Sequence, residues 1–270
     1  MQRMFSLCLA AWMALAAPAA AGSHMFDVDD VAQFDVLPGW RTASASHMTA
    51  LRVRLAPGWK TYWRAPGEGG IPPRFDWSGS QNLARVAFHW PTPQVFEQNG
   101  MRSVGFKDEL VLPIELMPTR PGAPITMRAD LEIGVCEDVC IQVGVRIAAD
   151  ILGPGASDPR IQAAIDARPH SSRAAGMTGI ACAVDPISDG LRLTAQIQMP
   201  ALGPNEVAVF ELPDQRIWVA EAVASRQGAM LMAQTEMVPP AGRPFALDRS
   251  QVRITVLSNG RGVEINGCPS

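Results

Sequence analysis

Past its first 21 residues the chain has no uninterrupted apolar run of about 18 residues, so nothing there is expected to cross a bilayer as a helix. Lysine occurs only at Lys60 and Lys107, and the formal net charge of -3 becomes -4 once Arg3 is set aside. So mild an acidity leaves no basic footprint for nucleic acid, and that class of partner is excluded. That the remaining basic residues are arginine reads as a bias of genome composition rather than as chemistry. His47, His89 and His170 are scattered and the methionines form no tight cluster, so no built metal site is expected. No Ser-His-Asp, paired-carboxylate or zinc-spaced constellation stands out, which disfavours hydrolase chemistry. The glycine-rich turn at 67–70 lacks the lysine and the helix context of a phosphate cradle. No cofactor is implied.

What is present begins with an export signal. Arg3 supplies a positive n-region, residues 5–17 an apolar stretch, and Ala19-Ala20-Ala21 a small-residue cleavage site, so residues 1–21 read as a secretory signal peptide. Cys8 leaves with it. Cleavage after Ala21 would expose Gly22-Ser23-His24, whose amine, backbone nitrogens and imidazole can form a square-planar copper(II) or nickel(II) site. The four remaining cysteines, in an oxidising compartment, argue for disulfides over metal clusters. The expected product is periplasmic, with no membrane insertion after signal cleavage.

The most informative of these cysteines are Cys136 and Cys140. Met127, Ala129, Leu131, Ile133 and Val135 alternate with Arg128, Asp130, Glu132 and Gly134, the period of two of a half-buried strand. Beyond the cysteines, Ile141, Val143, Val145 and Ile147 continue the pattern. Residues four apart on one straight strand lie roughly 13 Å apart, too far for a disulfide, so the chain must turn back at Glu137-Asp138-Val139. A hairpin that opposes Cys136 to Cys140 also pairs Val135 with Ile141, Ile133 with Val143, Leu131 with Val145 and Asp130 with Arg146, a consistent set of rungs. Both cysteines then fall on the polar parity. Gly134 and Gly144 share their face and leave little bulk around the sulfurs, which would let a partner's thiol approach. Of the turn residues, only Asp138 tolerates a left-handed conformation well.

A composition shift divides the mature chain in two. Short alternating runs (Leu51-Val53-Leu55, Val86-Phe88-Trp90, Leu110-Leu112-Ile114-Leu116 and the hairpin) broken by Pro-Gly and Gly-Gly make residues 22–152 an expected β-sandwich. Residues 153–178 read as a linker with a short helix, capped by Asp158 with Pro159 at its first position. Residues 179–270 carry further short strands and are expected to form a second, smaller sandwich. Cys182 and Cys268 bracket it. Four cysteines allow three connectivities, and the sequence leaves pairing across the two units open; the expected pairs are Cys136–Cys140 and Cys182–Cys268. By loop entropy the longer loop would stabilise by roughly 4 to 5 kcal/mol against about 2 for the shorter. Cys182–Cys268 is therefore the expected structural staple and Cys136–Cys140 the more reducible bond.

An ordered series of motifs adds a resemblance. Gly58-Trp59-Lys60-Thr61-Tyr62-Trp63-Arg64-Ala65-Pro66-Gly67-Glu68-Gly69-Gly70-Ile71-Pro72, His89-Trp90-Pro91-Thr92-Pro93, Gly105-Phe106, Leu110-Val111-Leu112-Pro113 and Val135-Cys136-Glu137-Asp138-Val139-Cys140-Ile141 follow one another. Over about residues 25 to 150 the chain resembles the N-terminal periplasmic domain of the DsbD/ScsB-type thiol:disulfide interchange proteins. The resemblance implies an immunoglobulin-like domain whose cysteine pair accepts electrons from a membrane-embedded thiol reductase and hands them to periplasmic thioredoxin-like proteins. It also implies that Cys140 forms the mixed disulfide with a partner and Cys136 resolves it. An aromatic and a proline often flank the family's pair where this chain has Gly134 and Gln142. Ending at Ser270 without membrane helices or a thioredoxin-like tail, the chain is expected to draw its electrons from another protein.

The expected function is thiol-disulfide exchange through Cys136 and Cys140, a protein-disulfide reductase-like component. The competing reading is a non-catalytic periplasmic binding or adaptor module, copper handling included, in which both disulfides are structural. Glu137 and Asp138 weigh against a reactive thiolate, since nearby negative charge disfavours it, unless the partner supplies the low-pKa thiol. Tyr62, Trp63 and the turn at 67–70 read first as core and turn residues, and second as a shield over the disulfide.

Overall fold

Alternation of apolar and polar residues governs most of the chain, and it yields strands throughout. The computed structural model describes residues 28–98, 100–240 and 245–269. The signal assigned to residues 1–21 and the Gly22-Ser23-His24 terminus lie outside the described residues. A short helical turn, α1 (Val28–Val31), leads into β1 (Ala32–Arg41), β2 (His47–Leu55), β3 (Lys60–Tyr62), β4 (Arg74–Asp76) and β5 (Arg85–Phe88). There follow β6 (Gln94–Gln98), β7 (Met101–Lys107), β8 (Glu109–Met117), β9 (Ile125–Cys136) and β10 (Cys140–Ile151). After helix α2 (Pro159–Asp166) come β11 (His170–Ser171), β12 (Gly179–Pro186), β13 (Leu191–Gln198), β14 (Val207–Glu211) and β15 (Trp218–Val219). The chain closes with β16 (Val223–Gln227), β17 (Met230–Val238), β18 (Arg253–Ser258) and β19 (Arg261–Asn266).

The fold is all-β and immunoglobulin-like. One sheet, ordered β1-β2-β8-β5, lies against a second, ordered β10-β9-β3-β7-β6 with β4 added beside β9. Leu51, Val53, Leu110, Leu112 and Ile114 from the first meet Val104, Met127, Leu131, Ile133 and Val135 from the second in a common core. Each set occupies alternate positions of its strand, so each strand buries one face. The later strands form two further sheets, β11-β19-β18-β14 and β12-β13-β17-β15, with β16 pairing β17. Leu193, Ala195, Ile197, Leu231 and Ala233 pack there against Ile254, Val256, Val263 and Ile265.

The stretch from residue 153 to helix α2, read from its sequence as linker, is docked on the first sheet. Arg41 N donates to Pro154 O and Ala156 N to Gly39 O, an edge pairing with β1. Asp158 caps α2 by accepting from Arg160 N at 2.9 Å, and the adjacent Arg160 guanidinium holds its carboxyl down at about 2. The helix has one apolar stripe. Ile161 from it is wholly buried against Leu37, Met48 and Ala50. The Gly-Pro-Gly break follows the end of β10 at Ile151, and a tether and a docked helix can share such a composition. The apolar residue at 161 is what separates them.

Candidate functional site

The site is built at the far end of the β9–β10 hairpin. The register runs without a shift from Ile125↔Ile151 to Cys136↔Cys140, with Val135 opposite Ile141, Ile133 opposite Val143 and Asp130 opposite Arg146. Arg146 Nε donates to Asp130 Oδ1 at 2.9 Å. The cysteine α-carbons stand 4.1 Å apart and the sulfurs are bonded. None of Glu137, Asp138 and Val139 adopts a positive φ, so the turn does not draw on the left-handed tolerance of Asp138. The second bond joins Cys182, in β12, to Cys268. Both of those residues lie in the core of the later sheets, at 6% and 1% exposure.

Parity alone places both cysteines of the hairpin on an open face. Cys140 is indeed exposed, but Cys136 is buried at 4%. The difference comes from a segment far away in sequence. β3 pairs with β9, setting Lys60 opposite Cys136 and Thr61 opposite Val135, and Thr61 Oγ1 donates to Gly134 O at 2.9 Å. Tyr62 and the loop after it then lie across the hairpin. A Cβ built on Gly134 would stand 2.7 Å from Ile71 Cβ and 2.9 Å from the Tyr62 ring. The missing side chain at 134 therefore admits this cover instead of leaving a path for a partner. Gly144, where a Cβ would meet nothing within 4 Å, is the open glycine of the pair.

Tyr62, the chain's only tyrosine, is the hub of the cover. It is 1% exposed, and its hydroxyl lies 3.2 Å from Cys140 Sγ and 3.3 Å from Gly69 O. A disulfide sulfur has no proton, so the hydroxyl is the donor, its single proton shared between sulfur and carbonyl. Burial raises the Tyr62 pKa, keeping the phenol protonated at neutral pH. Gly70 leaves room for the ring, since a Cβ there would lie 2.8 Å from it. The two sequence readings of this segment thus hold together: Tyr62 and Trp63 are core residues, and the loop they anchor also covers the disulfide.

Lys60 stands out in the structure, although in the sequence it reads only as composition and as one residue of a longer motif. It is 9% exposed, opposite Cys136 in the β3–β9 register, with its ammonium 5.4 Å from the centre of the Phe96 ring. Its Nζ donates to Gln98 Oε1 at 2.9 Å, and Gln98 Nε2 donates to Glu137 O at 3.2 Å, tying β6 to the cysteine turn. Desolvation lowers its pKa. A nearly buried cation one strand from a cysteine is a signal that a lysine count cannot carry. Among the described residues, no group of His, Cys, Asp and Glu is arranged to hold a metal, and no helix is long and apolar enough to cross a membrane.

The site is thus a small-loop disulfide at a hairpin tip of an immunoglobulin-like sheet pair, with one cysteine exposed and the other buried. Residues 24–150 match the family described as thiol:disulfide interchange protein DsbD, N-terminal. That match supports a domain of the thiol:disulfide interchange type over this segment. A solved structure described as the N-terminal periplasmic domain of ScsB from Proteus mirabilis is similar over 89% of this chain and 95% of its own, with 24% identity and a TM-score of 0.65. That likeness is one of fold, and its coverage reaches past the family-matched segment into the later sheets. No curated protein matches.

Proposed function

We propose that the protein is a periplasmic relay that passes electrons by thiol-disulfide exchange through Cys136 and Cys140. The observation that carries this reading is the asymmetry of the bond: Cys140 is exposed beside the Tyr62 hydroxyl, whereas Cys136 is buried beside Lys60. A donor's thiolate attacks Cys140 Sγ, the S–S bond breaks, and Cys136 leaves as a thiolate. The donor's second thiol then attacks the mixed disulfide, displacing Cys140. The pair gains two electrons and two protons, and the donor departs as a disulfide. Running the same steps in reverse on an oxidised recipient returns the pair to its starting state. The reading assigns the donor to a membrane-embedded thiol reductase and the recipients to periplasmic thioredoxin-like proteins, as the family match suggests.

In this proposal residues 22–152 form the redox sandwich and residues 179–270 a second one, with Cys182–Cys268 as its inert staple. The staple closes a loop of 86 residues within a core, a placement that favours stability over exchange. The test is the reduction potential of each bond, measured by equilibrating the protein with glutathione or dithiothreitol buffers and mapping alkylated cysteines by mass spectrometry. A relay requires Cys136–Cys140 to titrate in the roughly -180 to -270 mV range of exchange proteins while Cys182–Cys268 stays closed. Resistance of both bonds below about -300 mV would leave a binding module instead.

A further inference from the structure

The loop that covers the hairpin is held from behind by the later sheets. Arg64 follows Tyr62 and Trp63 out of β3, and its guanidinium stacks on the Trp63 ring at 4.1 Å. Arg64 Nε donates to Glu211 Oε1 at 2.7 Å, and Nη2 donates to Glu211 Oε2 at 3.0 Å and Glu264 Oε2 at 2.8 Å. Glu211 ends β14 and Glu264 lies in β19. The three side chains are only 17%, 16% and 27% exposed, so these ion pairs are sheltered from screening more than surface ones are. A second set lies at the other end of the loop. Arg102 Nη1 pairs with Glu221 at 2.5 Å, and Glu221 N donates to Glu68 Oε1 at 3.5 Å.

Behind the loop there is space instead of packed core. Arg64, Pro66, Gly67 and Glu68 form one wall of a cavity of about 540 Å³, and Phe210, Trp218 and other residues of the later sheets form the opposite wall. Few apolar contacts therefore hold the loop from that side. Its backbone is tied to β7 by Val104 N donating to Pro66 O at 2.8 Å and by a longer bond from Gly69 N to Arg102 O at 3.4 Å. Gly69 is also the residue whose carbonyl shares the Tyr62 proton with Cys140.

We propose that Arg64, Glu211 and Glu264 are positioning residues, a latch by which the later sheets hold the loop, and through it Tyr62, against the disulfide. Opening the latch lets the loop move into the cavity and uncovers the bond for exchange. The latch gives the later sheets a task in thiol chemistry that takes place in the first sheet pair. It rests on the reading of Cys136–Cys140 as an exchanging bond.

The test is Glu211→Gln/Glu264→Gln, which keeps the side-chain shapes and removes both carboxylates from the far side of the interface. Dithiothreitol supplies two electrons and two protons, closing to its cyclic disulfide as Cys136 and Cys140 become thiols, and the rate is read by alkylation. The latch requires reduction about tenfold faster than in the parent protein, as expected for losing charge-assisted bonds to a half-buried cation. Hydrogen exchange at the Gly69 and Val104 amides should quicken with it, while exchange at Ile254, deep in β18, stays unchanged. Equal rates and equal loop protection would overturn the proposal. If the double variant fails to fold, Arg64→Lys decides, because it keeps the cation and loses the fork: faster reduction supports the latch and an unchanged rate refutes it. Failure of the relay reading looks different. In that case the parent bond resists every exchange buffer, whatever the ratio between variant and parent under strong reductant.

Discussion

Replacing Gly134 by alanine tests the claim that this glycine exists to admit a cover. The new methyl would sit 2.7 Å from Ile71 Cβ and 2.9 and 3.0 Å from two atoms of the Tyr62 ring, distances at which something must move. Against this, alanine in a strand is worth roughly 0.5–1 kcal/mol over glycine through the unfolded chain's entropy, while overpacking costs about 1–3 kcal/mol. The net expectation is a loss centred on about 1 kcal/mol, or roughly 2–4 °C in Tm for a chain of this size. Thermal melting followed by circular dichroism measures it. The displaced loop should also speed reduction of Cys136–Cys140 by dithiothreitol. A Tm equal to or above that of the parent, with an unchanged reduction rate, would show that the glycine faces open space and that nothing covers it.

Tyr62→Phe keeps the ring and removes the donor 3.2 Å from Cys140 Sγ. In the reduced protein a hydrogen bond to a thiolate is worth about 1.5 kcal/mol or more, so the Cys140 pKa should rise by about one unit, read from the pH dependence of alkylation. An unmoved pKa would remove Tyr62 from the chemistry. Cys140→Ala should abolish transfer to an oxidised thioredoxin-like substrate and lower stability by about 2 kcal/mol at most, given its short loop. Removing Cys182–Cys268 should do the opposite, costing roughly 4 kcal/mol and leaving exchange intact; swapped outcomes in transfer assays and denaturant melts would reverse the two roles. His47, 4% exposed, donates Nε2–H to Pro38 O at 2.7 Å, and burial depresses its pKa below the ordinary 6.5. The unfolded chain then binds the proton first as pH falls, so this contribution is whole above about 6.5 and is lost on descending from there through the folded pKa. His47→Gln should flatten the fall in Tm between pH 7 and pH 5, and an unaltered slope would exclude His47 as its source.

How much of this was legible in the chain follows from the range of each interaction. The period of two from Met127 to Ile147 set the hairpin, its register and the meeting of Cys136 with Cys140, because alternation is a property of neighbouring residues and a one-rung slip would invert every side chain. Asp158-Pro159 likewise marked the start of α2, a capping signal confined to three positions. Short strands such as β3, β4 and β11 were not legible, since two or three residues carry no period. The burial of Cys136, the occupied space at Gly134 and the placing of Lys60 depend on β3 arriving beside β9 from more than seventy residues earlier. The partners of Arg64 lie 147 and 200 residues further along. The sequence by itself determined which residues alternate, turn and cap. Only the tertiary structure decided which face of the disulfide is open, because burial is conferred by what packs against a strand and no pattern within the strand records its neighbours.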